Sequence, residues 1–381
     1  MREPLIAPPG LKNVIVADTA LGDVDGEAGF YHFRQYSAIE LAEKRTFEEV
    51  WHLMFTGRLP DPAELAGFHA EIAAHQGIPD DVRAVLPVIA ASGGERSTLA
   101  GLRTALSLLG AGFPASWGAD PAVLRDNAIR IAAATPAILA ALHRLRTGRD
   151  VIAPRADLST AGNWLWMLTG SEPTPEHEAA INRYLICTID HGFNASTFTA
   201  RVVASAGADV ASAICGAIGT FTGPLHGGAP DRALEALDEI GSPDRVRDWV
   251  RTKIATGDRI MGFGHPVYRT EDPRARMLRE IGQKLGGPLI DFATRVEAEV
   301  VQALAELKPG RELHTNVEFY AGVVMEQCGI PRSMFTPTFA VSRVVGWAAQ
   351  VLEQAEGTKI FRPSARYVGT TPPVPVPART A

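Results

Sequence analysis

The sequence predicts an all-α protein with a small β-hairpin near its N-terminus. Three observations carry that expectation: repeated helix-start pairs, apolar residues at helical spacing behind them, and few strand-like runs. Asp61-Pro62, Asp120-Pro121, Thr174-Pro175, Ser242-Pro243 and Asp272-Pro273 each set a capping residue before a proline. That pair suits the N-cap and first helical positions, where a missing N–H costs nothing. Ser37-Ala-Ile-Glu40 and Thr46-Phe-Glu-Glu49 read as capping boxes, hydroxyl and glutamate each satisfying an orphan backbone donor. Val50, Leu53 and Met54 share one helical face, as do Leu65, Phe68 and Ile72, and Ile181, Tyr184 and Leu185. Gly57, Gly110, Gly148 and Gly170 read as helix stops. Counting caps gives roughly fourteen or more helices.

The strand-like runs are Val14–Asp18, then Gly22–Gly26 followed by Phe30–Phe33, which read together as a hairpin. No series of strand–helix–strand units is evident. The strip 195–222 is rich in Ala, Gly and Ser, so its helices can approach closely. Gly219-Thr-Phe-Thr-Gly223-Pro224 then breaks the pattern and reads as a hinge into a second domain. A length of 381 residues also favours about two domains. The run Thr370-Thr-Pro-Pro-Val-Pro-Val-Pro-Ala378 cannot be helix and reads as a mobile or surface-draped tail.

Hydrophobic residues at 46% and charged residues at 21% are ordinary for a globular protein. The net charge of −6 gives no electrostatic case for nucleic acid or an anionic membrane, although local arginines can still meet small anions. Cys187, Cys215 and Cys328 form no CxxC pair and lie in apolar stretches, so buried free thiols are expected. The N-terminus MREPLIAPPG has no apolar leader pattern, and no run approaches the ~18 apolar residues of a membrane span. A cytoplasmic location is the expectation.

Eight of the ten histidines divide into two kinds. His52, His69, His75, His143 and His177 sit in helical patterns and read as surface or satisfied helix residues. His191, His226 and His265 lie at breaks beside glycine, in Asp190-His-Gly-Phe-Asn194, Pro224-Leu-His-Gly-Gly228 and Gly262-Phe-Gly-His-Pro266. Such breaks are where a scaffold presents functional groups, and three of one kind point to a site. His226 precedes a helical run, so the positive end of a helix dipole disfavours its imidazolium. A neutral imidazole there can donate a hydrogen bond to developing negative charge.

Zinc is the rival use of three histidines, with a carboxylate such as Glu318 as the fourth ligand. The wide spacing and the nearby arginines argue against it. Arg343 sits in Phe339-Ala-Val-Ser-Arg-Val-Val-Gly-Trp347, an otherwise apolar helix, so a buried guanidinium there needs an anion. Its planar fork suits a carboxylate. Arg274 lies just inside the Asp272-Pro273 helix start, and Arg269 and Arg362 are further candidates. Several arginines converging with histidines imply a di- or tricarboxylate ligand. In Asn316-Val-Glu-Phe-Tyr320, Glu318 reads either as a dipole-favourable acid or as a general base.

Taken together the motifs resemble the citrate synthase family, in its short bacterial and archaeal form, over nearly the whole chain. Gly10-Leu-Lys-Asn-Val14, Asp25-Gly-Glu27, Phe47-Glu-Glu-Val50 and Gly57-Arg-Leu-Pro60 look like the family's N-terminal block. The stretches holding His191, His226, His265 with Arg274, Glu318, Arg343 and Arg362 follow in family order. The resemblance implies a homodimer with a large helical domain (1–222 and 323–381) and a smaller mobile one (223–322). It implies that oxaloacetate is held by His191, Asn194, His265, Arg274 and Arg343, with Arg362 reaching it from the partner subunit. Arg269, with Gly262 and Gly264, would meet CoA, and Ser196 would orient His226. His226, His265 and Glu318 would be catalytic. Acetyl-CoA, or propionyl-CoA in a 2-methylcitrate synthase, would be the co-substrate, with no metal and no permanently bound cofactor. At this length an added N-terminal regulatory domain is not expected.

Two positions depart from the pattern. The family's usual base is aspartate, and Glu318 is longer by a methylene. A misplacement of about 1 Å can cost ~10²-fold in rate, so an impaired ligand-binding paralogue is the alternative. Pro266 is the milder departure, at the CoA edge.

Overall fold

The computed structural model describes residues 5–94, 97–223, 226, 230–258, 260–265, 267–307, 313–357 and 359–377. These build sixteen α-helices and one three-stranded antiparallel sheet of order β1-β2-β3. The strands are β1 (Gly22–Asp25), β2 (Phe30–Phe33) and β3 (Tyr36–Ser37). Gly22 faces Phe33 and Phe33 faces Tyr36, so Tyr31 and Phe33 share a buried face. Val14–Asp18, expected as strand, is not one: Val14 and Ile15 are exposed and meet no pairing strand.

The first half of the chain is α1 (Ala38–Lys44), α2 (Phe47–Thr56), α3 (Pro62–His75), α4 (Asp80–Ala91), α5 (Thr98–Leu109), α6 (Pro121–Arg146), α7 (Thr160–Thr169) and α8 (Pro175–Thr188). The second half is α9 (Ala195–Ser205), α10 (Val210–Phe221), α11 (Pro230–Ile240), α12 (Val246–Thr256), α13 (Pro273–Leu285), α14 (Pro288–Leu307), α15 (Val317–Gln327) and α16 (Phe335–Ala355).

Most of the starts are written in the caps. Thr46 and Asp61 each close a full capping box, with Glu49 and Glu64. Asp120, Thr174 and Asp272 cap helices that open on proline. Ser37 completes half a box, because the Glu40 carboxylate turns to Lys44. Ser242-Pro243 opens only a short 3-10 turn before α12. Helix α10 runs on through Phe221, so the break expected from Gly219 begins at Thr222.

Helix α6 corrects the expectation that no run matches a membrane span. Its 26 residues are long and apolar enough, yet 89% of its most apolar window is buried inside the protein. It is a core helix, hydrophobic all round because other helices surround it. Helix α16 packs on α6, α8, α9 and α10, and carries Arg343 through the core. Helix α15 is packed by α11, α13 and α14. Cys187 and Cys328 are buried free thiols as expected, whereas Cys215 is half-exposed. The chain from Phe361 to Pro377 has no helix or strand and is largely exposed.

Candidate active site

Gly262 and Gly264 take positive φ values of 85° and 83°, which a side chain would strain. This lets residues 262–264 run antiparallel to 314–316. Gly264 N–H donates to the His314 carbonyl at 2.7 Å, Asn316 N–H donates to the Gly262 carbonyl at 2.9 Å, and the Asn316 side chain donates to the Gly264 carbonyl at 2.9 Å. Asn316 also caps α15, accepting the Glu318 N–H at 3.1 Å. The loop before His265 and the helix start carrying Glu318 are thus one clasped unit.

His265 is held by its own chain. Nδ1 accepts the backbone N–H groups of Val267 at 3.0 Å and Tyr268 at 3.1 Å. A neutral imidazole with Nδ1 accepting carries its proton on Nε2. The Arg274 Nη2 contact at 3.3 Å is then a close approach rather than a hydrogen bond, and Nε2–H is left to donate outward. Burial, then the Arg274 charge, lowers the His265 pKa to about 4.

Arg274 is buried and paired with buried Asp272: Nε to Oδ1 at 2.9 Å and Nη2 to Oδ2 at 2.8 Å. Asp272 Oδ2 also accepts the Val317 N–H at 3.1 Å. One carboxylate therefore fixes both a cation and the first turn of the Glu318 helix. Burial works against both charges, but each partner outweighs it, raising the Arg274 pKa and lowering that of Asp272.

His191 packs its ring against Tyr31, His265 and Tyr268, with centroids 5.5, 5.6 and 5.5 Å away. Burial first, then Arg274, His265 and Arg343, lowers its pKa well below the usual value. Arg343 is 2% exposed; its Nε donates to the Thr188 carbonyl at 2.9 Å and its guanidinium lies 4.7 Å from the Phe339 ring centroid. Burial lowers its pKa to about 10; Asp190 and Glu318 pull the other way, and the Arg274 charge pushes it further down. Two buried cations that repel one another favour an anion between them.

His226 Nε2 lies 2.7 Å from Ser196 Oγ, which also takes the indole N–H of Trp347 at 3.1 Å. Burial, then Arg343, lowers the His226 pKa to about 4. Burial and a neighbouring cation, rather than a helix dipole, thus favour the neutral imidazole. Gly227 and Gly228, which follow it, lie outside the described residues, as does Pro266.

The family model for "Citrate synthase, C-terminal domain" matches residues 10–364. The chain is 37% identical over 362 residues to a citrate synthase of Deinococcus radiodurans, covering 94% of this chain and 95% of that one. The chain belongs to the citrate synthase family. Among solved structures it resembles the citrate synthase of Thermotoga maritima, with TM-score 0.84 and 34% identity over 97% of both chains. It also resembles the Thermoplasma acidophilum citrate synthase solved with carboxymethyl coenzyme A and oxaloacetate, with TM-score 0.89 and 30% identity over 97% of this chain and 98% of that one.

Of the residues that the citrate synthase resemblance singled out, the structure brings His191, His265 and Arg274 together, and the Arg343 charge acts on His191 and His226 and itself feels that of Arg274. Glu318 is half-buried in the first turn of α15, within electrostatic reach of Arg343. Asn194 stands at the start of α9: its Oδ1 caps the helix through Thr197 N–H and accepts from Ser196 Oγ at 2.7 Å. Arg269 is exposed, its N–H tied to the Gly26 carbonyl at 2.9 Å, and a Cβ on Gly26 would collide with the Val267 carbonyl. The hairpin turn thus seats the 267–269 loop, which explains the Asp25-Gly-Glu27 motif. Arg362 is exposed beyond Phe361, whose N–H donates to Ser205 Oγ at 3.1 Å. Sequence reasoning missed Tyr268, and it read Asp272 as a cap alone.

Proposed function

We propose that the chain is a citrate synthase, an acyltransferase that condenses acetyl-CoA with oxaloacetate to give citrate and CoA. The observation that carries this reading is the meeting of neutral imidazoles with two buried guanidinium groups beside a carboxylate-bearing helix start. Arg274 and Arg343 would hold the carboxylates of oxaloacetate, with His191 beside them. His265 Nε2–H would donate to the ketone oxygen and make its carbon electrophilic. Removing a proton from a thioester methyl group is very unfavourable unless the forming oxyanion is stabilised as the proton leaves. Glu318 would take that proton while neutral His226 hydrogen-bonds the enolate oxygen. For His226 to donate from Nδ1, the Ser196 hydroxyl must turn its one proton from Asn194 Oδ1 to His226 Nε2, 2.7 Å away, the role in which it orients the ring. Attack on the ketone yields citryl-CoA, and hydrolysis releases CoA. Arg269 and the loop through Gly262 and Gly264 would meet the CoA nucleotide.

The same reading makes residues 223–322 a smaller domain that closes over the substrates, and makes the protein a homodimer whose Arg362 serves the partner's site. Closure would exclude water until condensation is complete.

The test is CoA thiol release by the purified chain, with and without oxaloacetate, comparing acetyl-CoA with propionyl-CoA. The expected result is oxaloacetate-dependent release, faster with acetyl-CoA; faster release with propionyl-CoA would reassign the chain as a 2-methylcitrate synthase. No release from folded protein would contradict the enzymatic reading. The pH profile of kcat is a second prediction. With pKa values of about 4, His226 and His265 stay neutral down to about pH 5, and the active form is lost only as pH falls through about 4. A loss centred near the ordinary histidine value of about 6.5 would contradict that charge state.

A further inference from the structure

We propose that Tyr268 is a positioning residue: its hydroxyl donates to Nε2 of His191 and so fixes the proton of that imidazole on Nδ1, as a donor for oxaloacetate. The inference rests on the functional reading above and adds to it a residue and a tautomer. Tyr268 is buried, and its Oη lies 2.9 Å from His191 Nε2. Among the described residues that imidazole nitrogen is the hydroxyl's only hydrogen-bond partner. If Nε2 carried the proton instead, the tyrosine would accept, and its own O–H would lie in a buried pocket without an acceptor. Donation by tyrosine satisfies both groups. It also leaves a single N–H on His191, on the ring nitrogen away from Tyr268.

The setting makes this direction matter. The Tyr268 ring lies 4.8 Å from the His265 ring, and the Arg274 guanidinium lies 5.6 Å from its centroid. Its backbone N–H is one of the two donors that hold His265 Nδ1. One residue therefore sets both histidines, His265 as the Nε2–H tautomer through its main chain and His191 as the Nδ1–H tautomer through its side chain. The two rings then present N–H groups from opposite nitrogens, as a ligand with several acceptor oxygens requires.

The test is calorimetric titration of oxaloacetate, without acyl-CoA, into wild-type protein and Tyr268→Phe, followed by steady-state kinetics. Tyr268→Phe keeps the ring and removes the donor, so oxaloacetate affinity is expected to fall about tenfold, the scale of one lost hydrogen bond. The acetyl-CoA KM and kcat at saturating oxaloacetate stay near wild type. Equal oxaloacetate affinity in the two proteins would overturn the inference, as would a fall in kcat and both affinities together, which marks a merely structural tyrosine. Wild-type protein that binds no oxaloacetate would instead overturn the functional reading. A second pair of variants needs no change at Tyr268. The amide of asparagine can stand in for Nδ1–H and that of glutamine for Nε2–H, so His191→Asn should bind oxaloacetate more tightly than His191→Gln. The reverse order would overturn the assigned tautomer.

Discussion

Glu318→Gln is expected to lower the rate of CoA release by ~10²–10⁴-fold while changing oxaloacetate affinity little, since a positioned general base contributes on that scale. The substitution keeps the shape of the side chain and removes its negative charge, and with it the ability to accept a proton. Its neighbours are fixed without it: the Val317 N–H is held by Asp272 and the Glu318 N–H by Asn316. The groups proposed to hold oxaloacetate sit on other elements, Arg274 on α13 and Arg343 on α16. Loss of turnover with retained oxaloacetate binding would separate the base from the binding site. Glu318→Asp should retain more activity than Glu318→Gln, because a carboxylate displaced by about 1 Å still accepts a proton, at a cost of up to ~10²-fold. Wild-type activity in Glu318→Gln would remove Glu318 from the mechanism.

Arg343→Met is expected to weaken oxaloacetate binding by roughly 30-fold to several-thousand-fold, the equivalent of ~2–5 kcal/mol for truncating one side of a buried charge pair. The folded protein should tolerate the change better than the ligand does. Arg343 is surrounded by apolar core and its pKa is pulled down by burial to about 10, so the unliganded fold works to keep it charged. Replacing a buried charge pair by neutral groups is often neutral or stabilising, so the outcome turns on whether Asp190 is left charged. Asp190, which feels the Arg343 charge and is itself buried, then takes up a proton more readily. Thermal unfolding and oxaloacetate titration measured side by side check this: near-native melting with lost binding is the expected pattern, and unchanged binding would sink the assignment.

Much of the fold was legible because its helix starts are chemically marked. An Asp-Pro or Thr-Pro pair states both a capping acceptor and a residue that needs no N–H, and Asp61, Asp120, Thr174 and Asp272 all use it. Ser242-Pro243 carries the same letters, but the Ser242 hydroxyl caps nothing, and a local pattern does not report that. The strip Val14–Asp18 is apolar enough for a strand and lacks a partner, which is a tertiary property. The spacing that marks β1 and β2 likewise gave no sign of the two-residue β3.

The site divides along the same line. His191, His226 and His265 stood out because glycine flanks them, and Arg343 because a charge interrupts an apolar helix. Tyr268 and Asp272 had no such contrast with their surroundings. A tyrosine among loop residues and an aspartate before proline have ordinary explanations, and only the approach of His191 and Val317 gives them their roles. Asn194 lies inside a motif of the family, and the motif does not spell out that its Oδ1 caps the start of α9 and accepts from Ser196.

In the proposed reaction Glu318 removes a methyl proton of the acyl-CoA while neutral His226 supports the enolate. Exchange of those protons with deuterated solvent measures this step alone, when the oxaloacetate site is filled by a dicarboxylate that lacks the ketone and cannot condense. Deuterium entering the acetyl group with wild-type protein, and falling by ~10²-fold or more with Glu318→Gln, is the predicted result. Equal exchange in the two proteins, or none in a wild-type protein that releases CoA with oxaloacetate, would contradict it.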